Sequence, residues 1–491
     1  MSTAVRSMLD KPSLRGSAIL LAAAGGVEYG LQMAMPIVLV RFLDAAAFGQ
    51  YRMLWLLASA ALALAPAYMP QALFYFLPRA APGAQRKYVL NVLIYLIAAA
   101  FVAAFAVGTW NPLLPRLAFN LFIHSHGMST MFVGLWIVAS LLDVLPTADG
   151  RARWQAAATV SVAILRMGLV AGAAFLSGDI FWVVLAMVAL AMVKICVMLF
   201  YVFRHTRRTA DAWDGSTLRA QFRYALPFAL GSALFTLRLQ ADDWVVASML
   251  TPAVYAVFSI AGVVLPVATL VRQPVYNAMM PYLNHARVRG DLAEMARLIG
   301  RSNGATAMVL IPVAGGLLAG APELIDIVYT ARYRAAAPVM QLYLIGMMMN
   351  AFAVGHVLSA LEKGCFAAVN NACCLLLSIV LSVAGVHYFG FAGAALGSIV
   401  TFAVGEGLSL RVVAGTLGLK VHELLQWHAL LPVLLATGLA VASALSLTAG
   451  WEQPAVFVLM GKALIYLAVF AACFLLAGGR RHLGLLTGQY R

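Results

Sequence analysis

IFWVVLAMVALAMVKICVMLFYVFRHTRR, residues Ile180–Arg208, decides the class of fold. From Ile180 to Phe203 only Lys194 is charged, and the run then ends in Arg204, Arg207 and Arg208. About 20 apolar residues of helix, rising 1.5 Å each, cross the ~30 Å hydrocarbon core of a bilayer. A run this long, stopped by cations, reads as a membrane span ending on the cytoplasmic side. The rest of the 491-residue chain agrees: it is 63% hydrophobic and 10% charged, with mean hydropathy +0.92. Soluble proteins are about 45–50% apolar and about 25% charged. That balance excludes a soluble enzyme, a secreted disulfide scaffold and a disordered tail. It leaves an excess of cations to explain, 33 Lys+Arg against 18 Asp+Glu, net +15 with pI near 9.8.

Windows of about 19 residues place spans near 17–40, 50–76, 87–108, 128–147, 154–177 and 180–203. A second set falls near 223–248, 253–279, 303–328, 336–360, 365–388 and 391–413, and two more near 427–448 and 453–477. The expectation is an all-α polytopic membrane protein with about 14 transmembrane helices. The stretch 112–127, with Pro112, Pro115, Arg116, His124 and His126, is mixed in character and reads as an interfacial loop or a short re-entrant piece. The N-terminus carries Arg6, Lys11 and Arg15, but the apolar run behind them outlasts a signal peptide's ~7–15-residue core, so it reads as a retained first helix.

Loop cations orient the spans. With the N-terminus inside, the inner segments hold 23 cations, among them Arg79, Arg86, Lys87, Arg151, Arg153, Arg204, Arg219, Arg287 and Lys363. The outer loops hold four, Arg41, Arg116, Arg332 and Arg334. One miscounted span would scramble this positive-inside bias, which fits 14 spans with both termini cytoplasmic.

The two halves resemble each other. Val144–Gly150 aligns with Val357–Lys363, Leu43–Tyr51 with Leu250–Phe258, and Pro66 and Pro70 with Pro266 and Pro274. Six helices per half is an even number, which gives a parallel repeat about an axis along the membrane normal with a cleft near the midplane. The expected organisation is an N-terminal six-helix bundle over 1–208, a second over 209–420, and two extra C-terminal helices with a tail over 421–491.

A charge within a span costs ~2.5–3.5 kcal/mol on insertion scales, so each is a functional candidate. The deepest are Glu28, Arg166, Arg238 with Asp242 and Asp243, and Lys462; Arg52, Lys194, Arg272 and Glu406 sit nearer the boundaries, where snorkelling competes. Arg238 and Asp242 stand i,i+4 and could neutralise each other on one face, while Asp243 points about 100° away. A cleft lined by Arg52, Arg166, Arg238 and Arg272 would suit an anionic group, since the guanidinium fork stays charged and pairs with phosphates. Glu28 then reads either as a proton or sodium acceptor or as the counter-ion of one arginine. Lys462, outside the repeat, reads first as packing.

Other features are bland. Gly26/Gly30, Gly316/Gly320 and Gly393/Gly397 read as close helix contacts, and Pro36, Pro66, Pro70, Pro266 and Pro274 as hinges or fixed kinks. Trp55, Trp182 and Trp244 fall near predicted interfaces, Trp136 nearer a span's middle. The segment Arg287–Arg301 reads as an amphipathic stretch on the inner leaflet, with no nucleic-acid role. Five cysteines lie in or at apolar segments without metal-ligand spacing, so no cofactor is expected beyond proton or sodium coupling. No Walker loop, HExxH or GxSxG is present. His124 and His126 read as surface residues.

The run PIVLVRFLDAAAFGQYRMLWLLASAALALAPAYMPQALFYFLPR, Pro36–Arg79, resembles the first two spans of lipid-linked oligosaccharide flippases. These form the polysaccharide-transport branch of the multidrug/oligosaccharidyl-lipid/polysaccharide exporter superfamily. Leu226-Pro227, Asp242, Tyr255, Pro281, Arg289-Gly290-Asp291 and Gly390–Ala395 extend the resemblance over roughly residues 15–415. It implies a V-shaped pair of six-helix bundles with alternating access. The cargo would be an undecaprenyl-diphosphate-linked oligosaccharide, moved to the outer leaflet of a bacterial cytoplasmic membrane for cell-surface polysaccharide, alongside a polymerase and export machinery. The family's cationic lumen would fall on Arg52, Arg166, Arg238 and Arg272.

Two relatives and one other class compete. Lipid II flippases also have 14 spans and a cationic cavity, but the chain has Glu28 and no arginine between Arg15 and Arg41, where they carry arginines in span 1. Multidrug exporters of the superfamily usually have 12 spans and favour cationic drugs. A membrane polysaccharide polymerase or ligase would carry a large outer loop, whereas the longer charged loops here, 204–222 and 281–302, are assigned inside.

Overall fold

The computed structural model describes residues 14–80, 84–108, 126–205, 214–424 and 427–476. Among them every regular element is helical. The N-terminal cations Arg6 and Lys11, most of the mixed stretch 112–127, Arg207 and Arg208, and the C-terminal cations Arg480, Arg481 and Arg491 lie outside the described residues.

The chain divides into two compact units, one of residues 1–237 with 251–256, the other of 238–250 with 257–491. The first contains α1 (Leu14–Phe42), α2 (Ala45–Leu64), α3 (Met69–Phe76), α4 (Gln85–Val107), α5 (His126–Ala139), α6 (Ala152–Ser177), α7 (Ile180–His205) and nearly all of α8 (Gly215–Leu239). There α1 packs on α6, α7 packs on both α5 and α6, and α4 packs on α5.

The second contains α9 (Ala241–Met249), the C-terminal half of α10 (Pro252–Ala261), α11 (Leu265–Val288), α12 (Leu292–Tyr329), α13 (Ala337–Met349), α14 (Gly364–Phe389), α15 (Phe391–Leu417), α16 (Trp427–Leu447) and α17 (Ala455–Leu476). Here α12 is the post against which α11, α13, α16 and α17 pack, and α14 and α15 form a hairpin that receives α9.

Twelve of the described helical segments are long and apolar enough to cross a membrane, or 13 if a bent pair counts as one span. The expected 14 is therefore not reached. The shortfall is at the expected seventh span, 223–248, which breaks at Gln240 into α8 and α9 and carries Arg223, Arg238, Asp242 and Asp243. The bent pair is α2 with α3, turned by 43° where Pro66 meets Ala67 and Tyr68, both at positive φ. Left-handed backbone costs an L-residue roughly 1–2 kcal/mol, so the packing around this break must hold it.

Prolines within the long helices leave carbonyls unmatched, and side chains supply partners. Pro322 has no N–H for the carbonyl of Leu318, four residues before it; Gln341 Nε2 donates to that oxygen at 3.2 Å. Of the glycine pairs, Gly393 and Gly397 sit so close to the backbone of Gly385 and Leu381–Ser382 that a Cβ would collide, and Gly316 and Gly320 face Tyr466 and Leu459. Gly26 and Gly30 have nothing within 4 Å and are no contact seam. The segment expected as a separate amphipathic piece, Arg287–Arg301, is instead a tight turn at Gly290 followed by the start of α12, capped by Asp291 accepting from Glu294 N at 2.9 Å.

At the start of α8, outside the apolar spans, Asp214 accepts from Ser216 N (3.0 Å) and Thr217 Oγ1 (2.5 Å), and its carboxylate lies 2.6 Å from Lys87 Nζ. Lys87, then the hydroxyls of Thr217 and Ser216, hold its pKa well below the usual carboxylate value of 3.8. A depressed folded pKa means stability that is complete above about pH 4 and lost as the pH falls further. The thermal midpoint of the wild type is expected to drop below pH 4 and to converge there with that of Asp214→Asn, which starts lower at pH 7. Parallel curves across pH 7 to 3 would remove this role.

Candidate functional site

In the N-terminal unit, an open pocket is lined by Glu28 from α1, Trp136 from α5, Gln155 and Arg166 from α6, Lys194 from α7, and Asp143 in the turn after α5. Lys194 is buried and mid-helix, its Nζ 2.8 Å from Asp143 Oδ2 and 4.5 Å from the centre of the Trp136 ring. It does not snorkel, which corrects its placement near a boundary. A carboxylate and an aromatic face replace the water an ammonium would otherwise require.

Arg166 lays its guanidinium 4.1 Å from the Trp55 ring, and Trp55 in turn packs edge-on against Trp136 at 5.5 Å. Trp55 is thus part of an internal aromatic cluster rather than an interface belt. Arg52 is half-buried one turn before Trp55 on α2. With Lys194 matched by Asp143, the charges left to face the pocket are Glu28 and Arg166. Gln155 Oε1 and Arg166 Nε are buried there without hydrogen-bond partners. The pocket can therefore both accept and donate hydrogen bonds, and it is close to neutral in net charge.

The C-terminal unit holds Arg238, Asp242, Asp243 and Arg272. The helix breaks at Gln240, so Arg238 stands in the last turn of α8 and Asp242 in the first turn of α9 rather than on one continuous helix. Asp242 is buried, accepting from Tyr343 Oη at 2.7 Å, Asp243 N at 3.0 Å and the Ser398 hydroxyl. Asp243 is half-buried beside it. The Arg238 guanidinium reaches Cys374 and Gly405, next to Asn370, whose amide donates to Gly405 O (3.1 Å) and Ser409 Oγ (3.3 Å).

Arg272 occupies a different niche, where the span 331–360 is interrupted. Its guanidinium donates to Ala353 O and to His356 Nδ1, both at 2.5 Å, and to Asn350 Oδ1 at 3.4 Å. Glu406, which interacts electrostatically with Arg272, accepts from Val354 N (2.9 Å) and Gly355 N (3.2 Å). Both residues were placed near boundaries; the broken segment occupies them instead of headgroups. The four arginines thus divide two and two between the units, each in its own surroundings.

Sequence reading passed over Glu323, Asp143, Tyr343 and His356. Glu323 pairs with Lys462 at 2.8 Å, both buried. A charge beside Pro322 inside an apolar run was the available signal for Glu323, and Asp143 stood in the fourth expected span. Nothing local marks Tyr343 or His356, whose partners are distant in the chain.

The family described as "Polysaccharide biosynthesis protein" matches residues 14–286, more than half of the chain. A probable low-salt glycan biosynthesis flippase, Agl15, of Haloferax volcanii is 21% identical over 200 residues, 40% of this chain and 42% of that protein, so the match spans less than half of that relative. A solved structure of the lipid II flippase MurJ in an inward closed conformation superposes with a TM-score of 0.68 at 12% identity, covering 93% of this chain and 99% of that one. An inward-facing multidrug resistance MATE family transporter of the MOP superfamily gives 0.60 at 14% identity, covering 81% and 98%. These likenesses establish the fold, and the sequence match establishes the family: the chain is a multi-pass membrane protein that belongs to the polysaccharide biosynthesis protein family and has the fold of the multidrug/oligosaccharidyl-lipid/polysaccharide exporters.

Proposed function

We propose that this protein is a flippase that moves an undecaprenyl-diphosphate-linked oligosaccharide from the inner to the outer leaflet of a bacterial cytoplasmic membrane, by alternating access, for cell-surface polysaccharide synthesis. The observation that carries the reading is the set of arginines within the membrane region of a chain from this family. Arg52, Arg166, Arg238 and Arg272 are its contact points for the headgroup, and each is expensive to place there without a role. The polyprenyl tail stays in lipid while the charged and sugar-bearing headgroup crosses through protein. With the cell interior negative, each negative charge moved outward across 100 mV gains ~2.3 kcal/mol, so the diphosphate itself supplies driving force. Glu28, facing Arg166 across the pocket, is the carboxylate assigned to proton or sodium coupling. Asp242, saturated by Tyr343 and Asp243, and the adjoining Asp243 serve as counter-charges. A polymerase and an export assembly would take the product.

In proteoliposomes of matched protein content, Arg166→Ala and Arg238→Ala are each expected to slow flipping about tenfold, the effect of one lost charged contact of about 1.4 kcal/mol. Wild-type rates in both variants would end the assignment of these arginines to cargo. A Glu28→Gln variant that still responds fully to pH and sodium gradients would end the coupling assignment.

A further inference from the structure

In the N-terminal unit, an aromatic column runs between α3 and α8. Tyr68 stacks on Phe228 at 5.6 Å, Phe228 meets Tyr224 at 5.5 Å, and Tyr224 stacks on Tyr75 at 4.5 Å. The Arg79 guanidinium covers Tyr75 at 3.9 Å, donating to its carbonyl, and the exposed Arg223 precedes Tyr224. Neither Arg79 nor Arg223 pairs with a carboxylate among the described residues. Tyr75 and Phe228 are 38% and 50% exposed.

Interfacial aromatic belts sit at one level, that of the headgroups. This column rises seven residue steps from Tyr68 to Tyr75, about 10 Å along a helix, so a belt accounts for one end of it only. Moreover, α8 is not among the helices apolar enough to cross a membrane: its first turns expose Arg219 and Arg223, and the exposed apolar residues Leu226, Phe228 and Leu230 begin only beyond them. Acyl chains would cover the Arg219–Arg223 end of this face poorly. Ring faces beside guanidiniums that have no carboxylate partner among the described residues instead match a ligand that joins sugar C–H faces to a diphosphate: the rings stack on the sugars and the forks hold the phosphates.

We propose that the column of Tyr68, Phe228, Tyr224 and Tyr75, with Arg79 and Arg223 at one end, is a loading track for the headgroup of a polyprenyl-diphosphate-linked glycan. The two arginines bind the diphosphate and the rings bind the first sugars. This rests on the flippase reading above and adds to it where the cargo is first held.

The test is binding to the full chain in nanodiscs. The probes are undecaprenyl diphosphate bearing one N-acetylhexosamine, bare undecaprenyl diphosphate, and phosphatidylglycerol as competitor. Tyr75→Leu/Phe228→Leu, which keeps apolar bulk, should weaken the sugar-bearing lipid about tenfold and leave the bare lipid within about twofold. Arg79→Gln/Arg223→Gln should weaken both lipids about tenfold, and phosphatidylglycerol should compete poorly. If the double leucine variant does not fold, Phe228→Leu alone, at a half-exposed position, is put through the same comparison. Equal binding of the sugar-bearing lipid by wild type and leucine variant overturns the track, as does equal loss for both lipids or full competition by phosphatidylglycerol. A wild type that prefers neither polyprenyl lipid over phosphatidylglycerol overturns the flippase reading as well, which separates the two failures.

Discussion

Lys462→Met is expected to destabilise the protein by about 3–5 kcal/mol, the cost of leaving a buried charge without its partner. Lys462 Nζ on α17 lies 2.8 Å from Glu323 Oε1 on α12, and both side chains are about nine-tenths buried, at 9% and 11% exposure. Around them the C-terminal helices fit α12 closely. Tyr466 Oη donates to Pro312 O at 2.7 Å, and Gly315 faces Thr437 and Tyr466 where a Cβ would collide. The pair is thus a charged point in a tightly packed, mainly apolar contact. The paired change Lys462→Met/Glu323→Met should recover most of the loss, because replacing a buried ion pair by apolar side chains of similar volume is often neutral. Thermal unfolding in detergent reads both effects. A single variant within about 1 kcal/mol of wild type would show that water reaches the pair.

Glu406→Leu is the second large loss, about 2–4 kcal/mol, since two backbone donors lose their acceptor and the half-buried Arg272 loses a neighbouring negative charge. Glu406 caps Val354 and Gly355 N–H, while Arg272 holds the Ala353 carbonyl, so two opposite charges fix the interruption between α13 and the turn at Val357–Ala360. Glu406→Gln keeps an acceptor oxygen and loses the charge, and should fall between wild type and the leucine variant. A double-mutant cycle with Arg272→Met should give a coupling above about 1 kcal/mol. Additive losses would mean that the two residues act independently. Because Arg272 is so engaged, part of any transport defect in an Arg272 variant will come from this segment rather than from cargo.

The fold was legible because lipid imposes a one-dimensional rule. An apolar run such as Ile180–Phe203 has to be a helix whatever its neighbours are, since every backbone group must find its partner within the segment. That rule weakened where charges entered a span, at 223–248, and there the expected single helix is two. Charged residues were visible for the same reason, but their partners were not. Lys194 finds Asp143 at a separation of 51 residues and Lys462 finds Glu323 at 139, distances that no helical period encodes. Position along a span was also a poor guide to environment. Arg272 and Glu406 looked like boundary residues, yet a break in a neighbouring segment supplies carbonyls and N–H groups to them. The pairing of Gly385 with Gly393 was half legible, as the second glycine stands in a spaced pair and the first does not.

The sidedness of lipid-linked glycan in cells depleted of this protein tests the flippase assignment most directly. Spheroplasts are treated with an impermeant reagent that oxidises sugars on the outer leaflet, and the undecaprenyl-linked pool is then extracted. The account predicts that the glycan accumulates in a form shielded from the reagent and becomes accessible when the wild-type protein, but not Arg166→Ala/Arg238→Ala, is restored. A pool that remains accessible on the outer face during depletion would contradict it.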